Sequence, residues 1–283
     1  MRTWSFLEHF RWVALPPTAP TWAAALPLIE AAHARHAHDI AQLSEWLNDS
    51  DARLAELGGD PLRDAWSTFR PLRLSREEDW SDWLAHLIQT SRTGVFWSAA
   101  LQHQLPGRTF ASPRVVRREW TLPGGYRADL GIELQDGNAW IHLEVKIGDD
   151  DLKKTISTGE AMRTRVGFAI VHDVLLLPAD DRPLWNTVIE DLAKMDDQVE
   201  KTLSLASAVI VIDWHDVARG LRSALCESGE TLGWRVLARV FCGAVEQLLI
   251  GLPRIPSEYA LDTLSLLDVE HLIRYRTAHE MGE

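Results

Sequence analysis

Residues Arg127 to Ile147 read RADLGIELQDGNAWIHLEVKI, and this stretch decides the fold. From Ala139 onward the side chains alternate without a break. Ala139, Ile141, Leu143, Val145 and Ile147 fall on one side, and Trp140, His142, Glu144 and Lys146 on the other. A period of two belongs to a β-strand with one face on a core. Upstream, Leu130, Ile132 and Leu134 form an apolar face, with Asp129, Gly131 and Glu133 opposite. Asp136-Gly137 between the two runs suits a two-residue primed hairpin turn. That turn sets Gln135 against Asn138, Leu134 against Ala139 and Asp129 against Glu144. The apolar faces then coincide, whereas a slip of one residue would turn one of them to water. The same register sets two carboxylates across one rung, their Cβ atoms about 5 Å apart. Lys146 follows on the same face.

Outward from the hairpin, Val115 to Leu122 and Tyr126 to Leu134 read as strands, with Pro123-Gly124-Gly125 turning the chain between them. A helix is expected from Ser75, where Ser75 and Glu78 have capping-box spacing. Trp80, Trp83, Leu84, Leu87 and Ile88 continue it as one apolar stripe. Asp149 to Arg165 reads as a polar helix. Val171 to Leu177 and Ala208 to Ile212 read as buried strands, each followed by a helical pattern, Pro183 to Val199 and Trp214 to Leu225. Trp22 to Leu57 is helical in composition and stops at Gly58-Gly59-Asp60-Pro61; its His33, His36 and His38 read as a polar helix face. The tail from Leu232 to His279 is mostly helical, interrupted near Pro253 and Pro256. The expected fold is α/β, a mixed central β-sheet flanked by helices, with helical N- and C-terminal additions. The expected division is 1–70, 71–225 and 226–283.

The chain of 283 residues carries a formal net charge of -12, so it is not expected to coat nucleic acid by bulk charge. Its cations are segregated. Arg108, Arg114, Arg117, Arg118 and Arg127 precede Asp129 with Glu119 the one acid among them, and Lys153, Lys154, Arg163 and Arg165 follow Glu144. Asp180, Asp181, Glu190, Asp191, Asp196, Asp197 and Glu200 crowd the later region. That pattern suits phosphate contacts near the hairpin and an acidic far side. P-loop, HExxH and GxSxG patterns are absent. The two cysteines, Cys226 and Cys242, make no metal or disulfide framework, and a cytoplasmic setting is expected. No signal peptide and no membrane span are expected. Two converging acids and a lysine suit Mg²⁺ and an activated water. The plainer reading of Asp129, Glu144 and Lys146 is a solvated strand face with a Glu–Lys pair.

Asp129, fourteen intervening residues, and then Glu144-Val145-Lys146 resemble the signature of the PD-(D/E)xK nuclease superfamily. The order of a helix, a three-strand meander, a helix and a further strand, from Ser75 to Leu225, resembles its restriction-endonuclease-like core. Ala128 stands where the family's proline often does. The resemblance implies a metal-dependent nuclease hydrolysing phosphodiester bonds, in DNA before RNA, in defence, restriction or repair. It implies Mg²⁺, with Mn²⁺ as substitute, on Asp129, Glu144 and the Val145 carbonyl, and Lys146 at the water. It matches Glu78 to a further metal-binding glutamate, with Glu77 as the substitute and the capping box as the competing role for Glu78. Lys153 or Lys154 would assist. The nucleic-acid contacts would be Arg114, Arg117, Arg118, Arg127, Lys153 and Lys154, in a homo-oligomer or with an accessory protein. The other reading is an inactive nuclease-fold module that binds nucleic acid or protein.

Overall fold

In the computed structural model, the described residues are 22–68, 74–105, 110, 112–135, 139–148, 152–193 and 204–280. They form an α/β protein around a five-stranded mixed sheet in the order β1-β2-β3-β4-β5. The strands are β1 (Val115–Thr121), β2 (Arg127–Glu133), β3 (Ala139–Val145), β4 (Ile170–Leu177) and β5 (Ile210–Asp213). The meander β1–β2–β3 is antiparallel, and β4 and β5 join it in parallel. The Asp136-Gly137 turn lies outside the described residues. The register it was expected to set is nevertheless observed: Leu130 pairs with Leu143, Ile132 with Ile141, and the Leu134 amide donates to the Ala139 carbonyl at 3.0 Å.

One face of the sheet buries Leu130, Ile132, Ile141, Leu143, Val145, Val174, Leu176 and Ile212 in the main core. That face packs against α2 (Glu77–Thr90), with α3 (Val95–Leu101), α6 (Trp214–Leu225) and α7 (Leu232–Ala244) in the same core. The other face carries α4 (Lys154–Val166) and α5 (Arg182–Ala193) over two smaller clusters. The terminal helices α1 (Trp22–Arg53) and α8 (Leu266–Glu280) pack on each other and share the main core. The interruption expected in the tail begins earlier than its prolines, as a π-helical turn at Val245–Ile250.

Two local expectations are corrected. The polar helix expected from Asp149 begins at Lys154, and residues 149–151 lie outside the described set. The start of α2 is not capped by a Ser75–Glu78 box. Asp79 takes that role, its Oδ2 accepting from the Ser75 amide at 3.0 Å and the Arg76 amide at 2.9 Å. The helix begins at Glu77, so its third residue is Asp79, and a carboxylate at that position reaches back to the free amides of the first turn.

Three close fits shape the region around the hairpin. In α4, a Cβ on Gly159 would meet Asp173 Oδ1 at 2.5 Å, so glycine lets the helix lie down on β4. In β2, a Cβ on Gly131 would meet Trp120 Cε3 at 2.6 Å, so glycine lets that indole cross the strand. Glu119 has φ 45°, a left-handed conformation within β1 that disfavours a side chain. After that kink, Trp120 and Leu122 pack on the α4 side, whereas Val116 before it packs on the main core.

A buried ionic hub ties the termini to the core. Arg222 on α6 bonds Asp60 Oδ2 at 2.7 Å and Glu246 Oε1 at 2.5 Å, and stacks over Trp46 of α1 at 5.0 Å. Ser50 donates to Asp60 at 2.5 Å and Tyr275 of α8 donates to Glu246 at 2.6 Å. Burial alone would raise Asp60, but the Arg222 charge and hydrogen bond outweigh it and hold the carboxyl below its ordinary range.

Overpacking a tight helix–sheet contact costs about 1–3 kcal/mol. Gly159→Ala is therefore expected to lower the melting temperature by roughly 2–10 °C, as thermal denaturation followed by circular dichroism will show. An unchanged melting temperature would mean that α4 is not in close contact with β4.

Candidate active site

The site is built where β2 begins, β3 ends and α2 begins. The observed pairing ends at Leu130–Leu143; continued by one residue it sets Glu144 opposite Asp129, and the Glu144 charge acts on the Asp129 carboxyl. Asp129 does not simply project from the sheet: its Oδ2 accepts the Val145 amide at 2.9 Å and so caps the end of the β2–β3 ladder. Glu144 is 0% exposed and Lys146 2%. The expectation of a solvated Glu–Lys strand face is therefore overturned. The Lys146 ammonium lies 3.5 Å from Glu144 Oε1 and 3.5 Å from Glu77 Oε1. Trp214 fixes the Lys146 backbone by donating to its carbonyl at 3.2 Å, and Trp80 packs edge-on against Trp214 at 5.5 Å.

The helix brings in Glu77, not Glu78. The buried residues of α2 are Trp80, Ser81, Leu84, Leu87 and Ile88. Glu77 is in phase with Trp80 and Leu84, at i−3 and i−7, and so points at the sheet. Glu78 is rotated about 100° from it and is exposed. The Glu77 carboxylate also accepts from the Ile147 amide at 3.4 Å.

Of the lysines expected to assist, Lys154 enters and Lys153 does not. Lys154 Nζ, from the first turn of α4, bonds Glu144 Oε1 at 3.2 Å, whereas Lys153 is exposed. Behind Glu144 stands a set of residues not singled out from the sequence. His142 is 0% exposed, with Nε2 3.7 Å from Glu144 Oε2 and Nδ1 3.1 Å from Asp173 Oδ1, and Asp173 is bonded in turn by Arg163. The signal was present: Asp173 is an acid inside the apolar run Val171 to Leu177.

These contacts set the charges. Burial and then the Glu144 charge raise Asp129 to about 6, against the Val145 amide and the two lysines. Burial would raise Glu144 too, but the His142 ring 3.7 Å away, with Lys154 and Lys146, holds it below its ordinary value. Burial would lower His142, but its hydrogen bond to Asp173 and the nearby Glu144 charge prevail and raise it to about 9. One acid of the rung is thus kept ionised while its neighbour titrates near neutrality.

Among the described residues, no three His, Cys, Asp or Glu side chains are arranged as a metal centre. The donor chemistry nevertheless fits a hard dication. Asp129 and Glu144 supply carboxylates from neighbouring strands, and Glu144 Oε2 is a buried oxygen with no hydrogen-bond donor. The Lys146 and Lys154 ammoniums now hold Glu144 Oε1, so a cation would compete with them for that oxygen.

The basic cluster is more neutralised than the sequence suggested. Arg114 pairs with Glu133 at 3.1 Å, Arg118 with Asp82, and Arg127 with Glu119 at 3.6 Å. Arg117 carries no ion pair with a described residue and lies over the Trp120 ring at 5.0 Å. Arg108, Asp196, Asp197 and Glu200 lie outside the described residues. Trp140 is buried core, its ring 5.0 Å from that of Trp120 and tilted 30° to it. No described helix is long and apolar enough to cross a membrane.

Comparison with family models, with curated proteins and with solved structures returned no match, so the site has to be read from its own side chains. They make a measurable claim about pH. A carboxyl raised in the folded state favours folding below its unfolded value of 3.8, and that contribution is lost as pH rises through about 6. In metal-free buffer, Asp129→Asn is expected to stabilise the protein by about 1–3 kcal/mol at pH 7.5. The advantage should shrink toward zero as pH falls below the unfolded carboxyl value. Urea denaturation across pH checks this, and a gain independent of pH would remove the titration at Asp129.

Proposed function

We propose that the chain is a divalent-metal-dependent nuclease of the PD-(D/E)xK kind, built on a restriction-endonuclease-like core and hydrolysing phosphodiester bonds, in DNA first. The observation that carries this reading is that Asp129 and Glu144 follow the last β2–β3 pair, Leu130–Leu143, close enough for the Glu144 charge to act on Asp129, with buried Lys146 beside Glu144. The sequence of α2, the β1–β2–β3 meander, α4 and β4 supports it in topology. The free cysteines Cys226 and Cys242 suit a reducing cytoplasm.

In this reading Asp129 and Glu144 hold Mg²⁺, with the Val145 carbonyl, and Glu77 replaces Glu78 as the contribution of α2. When bound, the cation supplies Lewis-acid charge against the phosphoryl oxygens and acidifies a water. The protein's own groups do the rest. Lys146, fixed between Glu144 and Glu77, orients the water and meets the charge that grows as its oxygen adds to phosphorus. The ester P–O bond then breaks; the attacking water gives up its proton to solvent and the leaving alkoxide takes one from solvent. His142, pinned by Asp173, keeps Glu144 ionised and in place.

A second reading, an inactive nuclease-fold module, is favoured by one observation: Lys146 and Lys154 already satisfy Glu144 Oε1. Calorimetric Mg²⁺ and Mn²⁺ titration, run beside cleavage of plasmid and oligonucleotide DNA, separates the two. Under the nuclease reading, Lys146→Met keeps the buried volume and does not weaken metal binding, since it removes an ammonium that competes for Glu144 Oε1. It is expected to lower the cleavage rate by about 10²–10⁴. Asp129→Ala should lose both metal and cleavage. Parent protein that binds no metal and cuts nothing would leave the binding module.

For α2 the expectation is asymmetric. Glu77→Gln should weaken metal binding and slow cleavage by at least about tenfold, whereas Glu78→Gln should change neither. Equal effects in the two variants would remove α2 from the site.

A further inference from the structure

We propose that the Arg117–Trp120–Arg165 stack and the neighbouring Phe168 form a path for a single-stranded nucleic acid leading to the Asp129–Glu144 centre. The inference rests on the nuclease reading for its destination, but its binding claim stands on separate residues.

Two guanidiniums cover one indole. Arg117 from β1 lies 5.0 Å from the Trp120 ring centroid, and Arg165 from the last turn of α4 lies 6.0 Å from it. Trp120 is held from beneath by Trp140 at 5.0 Å and crosses the strand above Gly131. A guanidinium stacked on an aromatic face is fixed in orientation without using any of its N–H donors. Both arginines are exposed, and neither has an ion pair with a described residue, in contrast to Arg114, Arg118, Arg127 and Arg163. The structure thus presents two pre-oriented, unspent forks of the kind that take phosphate oxygens.

Phe168 follows at the turn between α4 and β4. It is fully exposed, while Val166 and Ala169 on either side of it pack on the Trp120–Trp140 cluster. Its ring is held out in water three residues after Arg165, and exposed aromatic rings near basic residues are what stack bases of a single strand. A duplex hides its base faces and would leave that ring without a partner. The strained backbone of Glu119 is what turns Trp120 to this side of the sheet.

The path has a length. Lys154, which touches Glu144, and Arg165 stand at opposite ends of α4, about 16 Å apart at roughly 1.5 Å per residue. That span is about five stacked nucleotides at roughly 3.4 Å each.

The test uses the full chain in EDTA, where cleavage is stopped, and a fluorescein-labelled 20-nucleotide DNA as a single strand and as a duplex. Fluorescence anisotropy is read at several salt concentrations. The single strand should bind at least tenfold tighter than the duplex. Arg117→Ala with Arg165→Ala should weaken it about 10–100-fold and reduce the salt slope by about 1.4, the value for two phosphates on a single strand. Phe168→Ala should weaken it about 5–100-fold with the salt slope unchanged, since stacking releases no counterion. Arg274→Ala on α8 should do nothing, and circular dichroism should show every variant folded.

Equal affinity for duplex, unaltered affinity in the double variant, no effect at Phe168, or no binding by the parent each overturns the inference. Metal titration and Mg²⁺-dependent cleavage judge the nuclease reading separately. A protein that cuts duplex without using the path sinks the inference alone. One that binds the single strand through the path but neither binds metal nor cuts sinks the nuclease reading alone.

Discussion

The buried carboxylate of Glu144 and the half-buried one of Asp129 repel each other at the end of the β2–β3 ladder, and much of the surrounding structure answers that repulsion. Asp129 is steadied by the Val145 amide, and Glu144 by Lys146, Lys154 and His142. Those partners come from β3, the start of α4 and the interior of the sheet, so the charge balance at one point fixes how several elements approach. Removing one member of such a set leaves a buried charge uncompensated, which is more costly than never having placed it there. The need for closeness extends outward. His142 needs Asp173, Asp173 needs Arg163, and Gly159 makes the room in which Asp173 sits.

The sheet's register is enforced by hydrophobic packing and the charges are carried by it. Leu130 with Leu143 and Ile132 with Ile141 bury one face completely. Once that face is committed, the alternate side chains have no freedom about which face they occupy. The apolar pairs thereby hold in place a polar rung that would otherwise drift apart. The tryptophans divide in a similar way. Trp80 and Trp214 lie under Lys146 as part of the main core, whereas Trp120 and Trp140 belong to the small cluster beneath α4.

Much of this was legible in the sequence because period and register are local. The alternation in β3 and the matched faces of β2 gave the rung, and the apolar runs gave β4 and β5. The errors came where two signals competed or where the third dimension decided. Ser75 and Glu78 have capping spacing, but the phase of Trp80 and Leu84 on the helix, rather than that spacing, decides which glutamate faces the sheet. Asp173 was visible as an acid in an apolar strand, yet its partner His142 is on another strand, and sequence spacing does not reveal a parallel pairing. The pairing of Arg114 with Glu133 and of Arg118 with Asp82 was likewise hidden, since the partners lie on neighbouring elements. Glu119 carries no residue-type signal for its left-handed backbone.

The Arg222 hub has a consequence for how the chain is made. Asp60 lies 162 residues before the arginine that neutralises it. At a synthesis rate of about 5–20 residues per second, that carboxylate waits roughly 8–32 s for its partner to be made. Glu246 and Tyr275 come later still. The N-terminal segment therefore cannot close on its final neighbours while the ribosome is still making the sheet. It must wait with a hydrated Asp60 and an open apolar flank until the helices that carry Arg222 and Tyr275 have been made, so the hub closes only after the whole sheet has left the ribosome.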